Sequence, residues 1–238
     1  MRIIVITDVH ANLPALQAAL KAIREGGYDI IVHTGDAIGL GPYPAECLEL
    51  LFNTPNVRFV MGNHESYFVN GLPKPQPSLM SDGEVRHHLW THAQLEPGLK
   101  TRIAQWAYSL SIENPGTKAT FMHYALDASG QDFVRIIRHP VITDMDSAFS
   151  SLGPTVVFYG HDHRPSDMQG RLRYVNPGPL GCSREAVATY CSVDLSQRGL
   201  TVEHLSIPYD RTGLYQAFEQ RSVPERQFIQ QAFFGRDA

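Results

Sequence analysis

Residues 3–12 read Ile3-Ile4-Val5-Ile6-Thr7-Asp8-Val9-His10-Ala11-Asn12, and this stretch decides the fold class. Four successive β-branched apolar residues without polar alternation describe a strand buried on both faces, as in a sheet covered by helices. Asp8 ends the apolar run. Apolar residues then recur at Leu13, Leu16, Leu20 and Ile23 ahead of Gly26-Gly27, which predicts a helix from Leu13 to Arg24 with a glycine stop.

Working outward, the alternation continues. Ile30 to Thr34 reads as a second strand, Pro44 to Phe52 as a helix with proline in its first turn, and Val57 to Met61 as a third strand. Strand and helix in alternation predict an α/β domain. From Glu65 to Asn114 the pattern changes: Pro73, Pro75 and Pro77 interrupt it, and helix-like stretches follow at 81–94 and 97–108. We read 65–114 as a helical insertion over the end of the sheet, within a single domain covering 1–238. Ala119 to His123 and Thr155 to Gly160 are again strand-like. Arg171 to Val175, Ala186 to Val193 and Leu200 to Ile207 follow with little helix between them, which predicts a second, more antiparallel sheet. Val223 to Phe234 has the pattern of an amphipathic terminal helix.

A chain of 238 residues that is 43% hydrophobic and 18% charged buries a full core. Its formal charge of −4 gives no basis for binding long nucleic acid, whose affinity comes largely from Lys and Arg on phosphates. A short anion held by a local positive site is compatible with it. Cys47, Cys182 and Cys191 are far apart and lack metal-site spacing, so they read as small buried hydrophobes. The N-terminal apolar run is too short for a secretory leader, and no stretch approaches the roughly 20 apolar residues that span a bilayer. The expected compartment is therefore the cytoplasm, with no membrane partner. The oligomeric state is left open.

Five polar clusters stand just past the ends of apolar runs: Asp8-Val9-His10, Gly35-Asp36, Gly62-Asn63-His64, His123, and Gly160-His161-Asp162-His163. Open α/β sheets bind ligands beyond the carboxyl ends of their strands, so clusters placed there can converge in space. Two carboxylates, one amide oxygen and several imidazoles form a mixed N/O set. Such a set suits manganese, iron, zinc, cobalt or nickel better than the all-oxygen cages of calcium and magnesium. Two divalent ions bring +4 against −2 from the two aspartates, which leaves a local positive charge suited to phosphate.

Asp-x-His, Gly-Asp, Gly-Asn-His-Glu, a lone His after a strand and Gly-His-x-His occur here in the order of the calcineurin-like metallophosphoesterase signature, and the chain resembles that family. The resemblance implies a four-layer α/β/β/α sandwich of two mixed sheets flanked by helices. It also implies two transition-metal ions, manganese first among them with iron, zinc, nickel and cobalt as alternatives. In the family's roles Asp8, His10 and His163 hold the first metal, Asn63, His123 and His161 the second, and Asp36 bridges both. The implied reaction is hydrolysis of a small phosphate ester or nucleotide by a water bridging the metals, with His64 as general acid on the leaving oxygen. Asn12-Leu13-Pro14-Ala15-Leu16, Gly39-Leu40-Gly41-Pro42 and Asn176-Pro177-Gly178 look like the branch of predicted phosphodiesterases and diadenosine-tetraphosphatase-like enzymes. Two positions depart from the pattern. Ala11 stands where Gly often follows the first His, and Met122 precedes His123 where Gly is usual.

Two other readings compete. A protein phosphatase or other phosphomonoesterase would carry Asp-Arg-Gly soon after Gly-Asp, whereas Ala37-Ile38-Gly39-Leu40 follows here. A non-catalytic scaffold of the same fold would have lost ligands or the catalytic imidazole, and none is missing. Arg184, after the Asn-Pro-Gly turn, is a candidate phosphate contact, with a surface ion pair as its plain alternative. His88 and His92 share a helix face, and with His87 beside them and no third ligand they are expected to face solvent. His33 is expected beside the site, His139 to be structural, and Asp162 to serve its turn.

Overall fold

The computed structural model describes residues 1–197 and 199–236. The apolar run at the N-terminus forms β1 (Arg2–Ile6), followed by α1 (Leu13–Gly26), β2 (Ile30–His33), α2 (Pro44–Phe52) and β3 (Val57–Phe59). Asn12 starts α1: its Oδ1 accepts from the Ala15 N–H at 3.2 Å, and Pro14 sits in the first turn where no donor is needed. Ala15, Leu16, Ala19, Leu20 and Ile23 form the buried face of that helix.

Three helices follow, α3 (Asn63–Asn70), α4 (Asp82–Ala93) and α5 (Pro97–Ile103). The first of them, which starts on the Gly-Asn-His-Glu motif itself, was not foreseen. Then come β4 (Ser109–Asn114), β5 (Thr117–Met122), α6 (Ile142–Ala148), β6 (Val156–Phe158), β7 (Ser166–Gln169) and β8 (Arg173–Asn176). The chain ends with β9 (Val187–Ser196), β10 (Gly199–Pro208), α7 (Thr212–Gln220) and α8 (Arg226–Phe234).

The strands form two mixed five-stranded sheets, ordered β10-β9-β1-β2-β3 and β4-β5-β6-β8-β7. In the first, β1, β2 and β3 run parallel, and β9 pairs antiparallel with both β1 and β10. In the second, β5, β6 and β8 run parallel, flanked by antiparallel β4 and β7. One expectation is corrected here: β9 and β10 join the first sheet and do not build a second. The reason lies in the burial of β9. Ala188 and Tyr190 pack into the core under the first sheet's helices, whereas Cys191, Val193 and Leu195 face the second sheet. A strand apolar on both faces needs both covered, and the open edge of β1 provides that position.

Three apolar layers hold the sandwich. One lies between the first sheet and α1 and α2, a second between the two sheets, with Ile3, Val5 and Val32 against Phe121, Phe158 and Val175, and a third between the second sheet and α6. This is the expected α/β/β/α order. A fourth cluster, around Leu214, Phe218, Ile229 and Phe234, packs α7 and α8 against Leu40, Tyr43 and Trp90. It brings the C-terminal helices over the ends of the strands.

Candidate metal centre

The loop after each central strand starts where the strand's backbone pairing ends, so the polar clusters emerge at one end of the sandwich. Asp8 and His10 follow β1, Asp36 follows β2, His123 follows β5, and His161 and His163 follow β6. Asn63 and His64 are the first two residues of α3. Close glycine contacts let these loops meet: a Cβ on Gly181 would lie 1.8 Å from the Val9 carbonyl oxygen, and one on Gly160 would lie 2.0 Å from Thr7 Oγ1. Asn176 of the Asn-Pro-Gly turn ties the last loop down by donating to the Gly160 carbonyl at 3.2 Å and to Asp162, whose role is therefore in the turn.

Five of the candidate ligands, Asp8, His10, Asp36, His161 and His163, have φ between 46° and 72°, as does Ala11 at 50°. Non-glycine residues adopt this left-handed region at a cost, and such strain collects at functional sites. The same cost falls on position 11, where glycine would sit without penalty and Ala11 does not.

The structure brings all seven candidate ligands together in two groups. His10 Nε2 lies 2.9 Å from His163 Nε2 and 3.8 Å from Asp8 Oδ1, and His163 Nε2 lies 3.6 Å from Asp8 Oδ1. In the other group His123 Nε2 lies 3.0 Å from Asn63 Oδ1 and 3.1 Å from His161 Nδ1. Asp36 Oδ2 stands between them, 3.8 Å from His10 Nε2 and 3.2 Å from His123 Nε2. His64 Nε2 is 3.9 Å from the same oxygen.

The far nitrogens of the rings show what belongs in the middle. His123 Nδ1 is 2.9 Å from the Thr34 carbonyl and His10 Nδ1 is 3.3 Å from the Ile38 carbonyl. A carbonyl only accepts, so each Nδ1 carries the proton and each Nε2 lone pair points inward. Inward-facing lone pairs then meet carboxylate and amide oxygens, which is repulsive unless a cation, a metal ion or a proton, sits among them. The residues present thus fit divalent metal ions. His/Cys/Asp groups able to hold a metal occur here as His10, His163 and Cys182, as His10, Asp36 and His64, and as Asp36, His123 and His161.

The pKa shifts agree with that geometry. Burial, reinforced by His163, holds His10 well below the usual imidazole range, and burial brings His161 down to about 3 and His163 to about 4. All three are neutral at pH 7, the form in which an imidazole can bind a metal. His123 is the exception: burial would lower it, but the charge and hydrogen bond of Asp36 outweigh burial and push it up to about 9. In protein without metal a proton supplies the positive charge that the carboxylates demand.

Two residues of the site were missed by sequence reasoning. Glu65 is fully buried and accepts four backbone N–H groups: Asp36 at 2.8 Å and Gly62 at 3.1 Å on Oε2, Ala37 at 2.8 Å and Ile38 at 3.2 Å on Oε1. Burial and the charge of Asp36 push its pKa up to about 7. With both oxygens only accepting, the geometry itself holds the carboxylate ionised. The signal was its place as the last residue of Gly-Asn-His-Glu. Arg138, the other omission, lies between β5 and α6, outside any motif. It is the single Arg or Lys among the described residues lining the cavity of about 520 Å³ that opens onto Asp36, Asn63, His64, His161 and His163.

The other candidates fall out differently. Arg184 is exposed and lies with His163 and Phe233 on a neighbouring cavity of about 440 Å³. His87 and His88 are buried, contrary to the expected solvated face, because α4 packs on α3 and on the C-terminal segment. The His88 ring is 4.9 Å from that of His64, and His87 Nδ1 is 3.2 Å from the Pro224 carbonyl. His33 is buried at the end of β2, where its Nδ1 accepts from the Gly35 N–H. All three cysteines are buried and free, and burial raises Cys182, whose Sγ is 3.3 Å from His163 Nδ1. A larger cavity of about 750 Å³ beside Asn70, Lys74 and His92 contains none of the candidate ligand groups, whereas Asp36, Asn63, His64, His161 and His163 line the 520 Å³ cavity. No helix among the described residues is long and apolar enough to cross a membrane.

Comparison with known proteins agrees with this arrangement. The family model for the calcineurin-like phosphoesterase superfamily domain matches residues 1–198. An uncharacterised protein of Methanocaldococcus jannaschii is 29% identical over 251 residues, covering 94% of each chain. Among solved structures, a hypothetical protein of Pyrococcus horikoshii matches with a TM-score of 0.78 at 21% identity, covering 100% of this chain and 99% of the other. A metallophosphoesterase of Sphaerobacter thermophilus matches with a TM-score of 0.71 at 22% identity, covering 96% of each. The two structural matches are likenesses of fold.

Proposed function

The chain belongs to the calcineurin-like phosphoesterase superfamily, and from that membership and the site's geometry we propose that it is a dinuclear-metal phosphodiesterase or nucleotide pyrophosphohydrolase. One observation carries the reading: two groups of inward-facing lone pairs share Asp36 Oδ2. Asp8, His10 and His163 would hold one divalent transition-metal ion, Asn63, His123 and His161 a second, and Asp36 both. When bound, the pair supplies Lewis acidity, acidifying water and offsetting charge on the phosphoryl oxygens.

The remaining work falls to the chain's own side chains. His64 is not needed as a ligand; its backbone N–H donates to Asp36 Oδ1 at 3.1 Å, and its ring lines the substrate cavity. In this reading it gives a proton to the leaving oxygen. Glu65 fixes the backbone from Asp36 to Ile38 and with it the shared carboxylate. Arg138 is the side chain in the cavity that can balance a non-bridging oxygen.

A diester is favoured over a monoester by charge. A monoester dianion calls for a cation in addition to Arg138, and no further Arg or Lys among the described residues lines the cavity. A diester carries one charge, which the metals and Arg138 can match. The test is steady-state kinetics of manganese-loaded protein on bis(4-nitrophenyl) phosphate and 4-nitrophenyl phosphate, with metal content by elemental analysis. The expected outcome is two ions per chain and a higher kcat/KM on the diester. One ion per chain, or a clear preference for the monoester, would overturn the reading.

A further inference from the structure

The walls of the 520 Å³ cavity are more specific than its floor. Beyond the metal-binding residues it is lined by Phe228 and Phe233 of α8, by Leu79 ahead of α4, and by Ile136 beside Arg138. Leu79 is 76% exposed and Phe228 62%, among the few large apolar side chains that the described residues leave in water. Two such residues on the rim of one cavity, contributed by segments remote in sequence, form an apolar surface that nothing among the described residues covers. The surface runs inward without a break. The Phe228 and Phe233 rings meet edge-to-face with centroids 6.4 Å apart, and Phe233 in turn meets the His163 ring edge-to-face at 5.9 Å. An aromatic shelf therefore begins at a candidate metal ligand and ends at solvent.

Glu84 and Glu225 stand on the same rim. Their carboxylates oppose an anionic extension such as a polyphosphate tail, whereas a neutral substituent meets no such opposition. Glu225 is ion-paired with Arg86 at 2.8 Å, which offsets much of its charge and leaves Glu84 as the main opposing group. The volume lies within the range of small-molecule sites, roughly 300–1,000 Å³. Flat rings gain most from edge-to-face aromatic walls.

We infer that the phosphoester taken by this site carries a neutral aromatic substituent, seated against Phe228 and Phe233 with Leu79 and Ile136 also lining its seat. The inference rests on the phosphoesterase reading and narrows its substrate class. Phosphonates test it without turnover, because their P–C bond is not hydrolysed and each has a single substituent. By titration calorimetry, manganese-loaded protein is expected to bind phenylphosphonate about tenfold more tightly than methylphosphonate. In the double variant Leu79→Ser, Phe228→Ala the ratio should fall to about two, with methylphosphonate affinity unchanged. Both side chains are largely exposed, so their replacement leaves the core intact, and an unchanged melting temperature verifies this. Equal affinity for the two phosphonates, or a ratio unaltered in the variant, overturns the aromatic seat and leaves the phosphoesterase reading standing. Failure of the loaded protein to bind either phosphonate also overturns the aromatic seat, while the phosphoesterase reading is decided separately by the kinetics on bis(4-nitrophenyl) phosphate.

Discussion

Replacing Glu65 by alanine strands four buried donors, the backbone N–H groups of Asp36, Ala37, Ile38 and Gly62, in a place water does not reach. Hydrogen bonds to a charged acceptor contribute about 1.5 kcal/mol each at the lower end of their range, so four sum to about 6 kcal/mol. Removing the carboxylate also relieves the cost of burying its charge, which returns on the order of 2 kcal/mol. The net loss is about 4 kcal/mol, or a fall of about 8–16 °C in melting temperature for a chain of this size. Glu65→Gln is not a rescue, because whichever way the amide turns its NH₂ faces two backbone donors. Both variants should lose metal, since the Asp36 N–H is what Glu65 anchors. Thermal melts and elemental analysis of each variant against wild type make the measurement. A fall below about 3 °C in Glu65→Ala with metal content intact would refute the claim that this carboxylate organises the Asp36 loop.

Three further outcomes are expected. His64→Asn should retain metal but lose far more activity on diesters with alkyl leaving groups than on nitrophenyl diesters, because an acidic leaving group needs no proton; equal losses measured on both would remove the proton-donor role. Arg138→Ala should raise KM for bis(4-nitrophenyl) phosphate about tenfold, by loss of a charge-assisted contact, while metal content stays constant; an unchanged KM places Arg138 outside the substrate's reach. Gly181→Ala puts a Cβ 1.8 Å from the Val9 carbonyl oxygen, so the loop must move, at a cost of about 2–3 kcal/mol in denaturant unfolding, and a stability equal to wild type would show that the loops are not in contact as described.

What sequence alone determined was what depends on local order. Ile3 to Ile6 followed by Asp-x-His predicts a buried strand ending in ligands, because a strand's burial is written in its own run of side chains and its end in the first polar residue. The same logic marked the polar clusters at Gly35-Asp36, Gly62-Asn63-His64, His123 and Gly160-His161-Asp162-His163, while the choice of seven ligands among them came from the order of the motifs, which resembles the family's. Tertiary structure alone decided what depends on neighbours distant in the chain. β9 lies beside β1 because both its faces are apolar, which the sequence displays, but the open edge that accepts it exists only once β1, β2 and β3 have assembled. His87 and His88 look like a solvated helix face until α3 and the C-terminal segment pack over them. Glu65 is an ordinary first-turn glutamate until four N–H groups from two loops close around it. Arg138 and the α8 aromatics enter the site from segments with no motif, because a cavity wall needs only a side chain of suitable chemistry at the right place, and that place is set by packing over the whole chain.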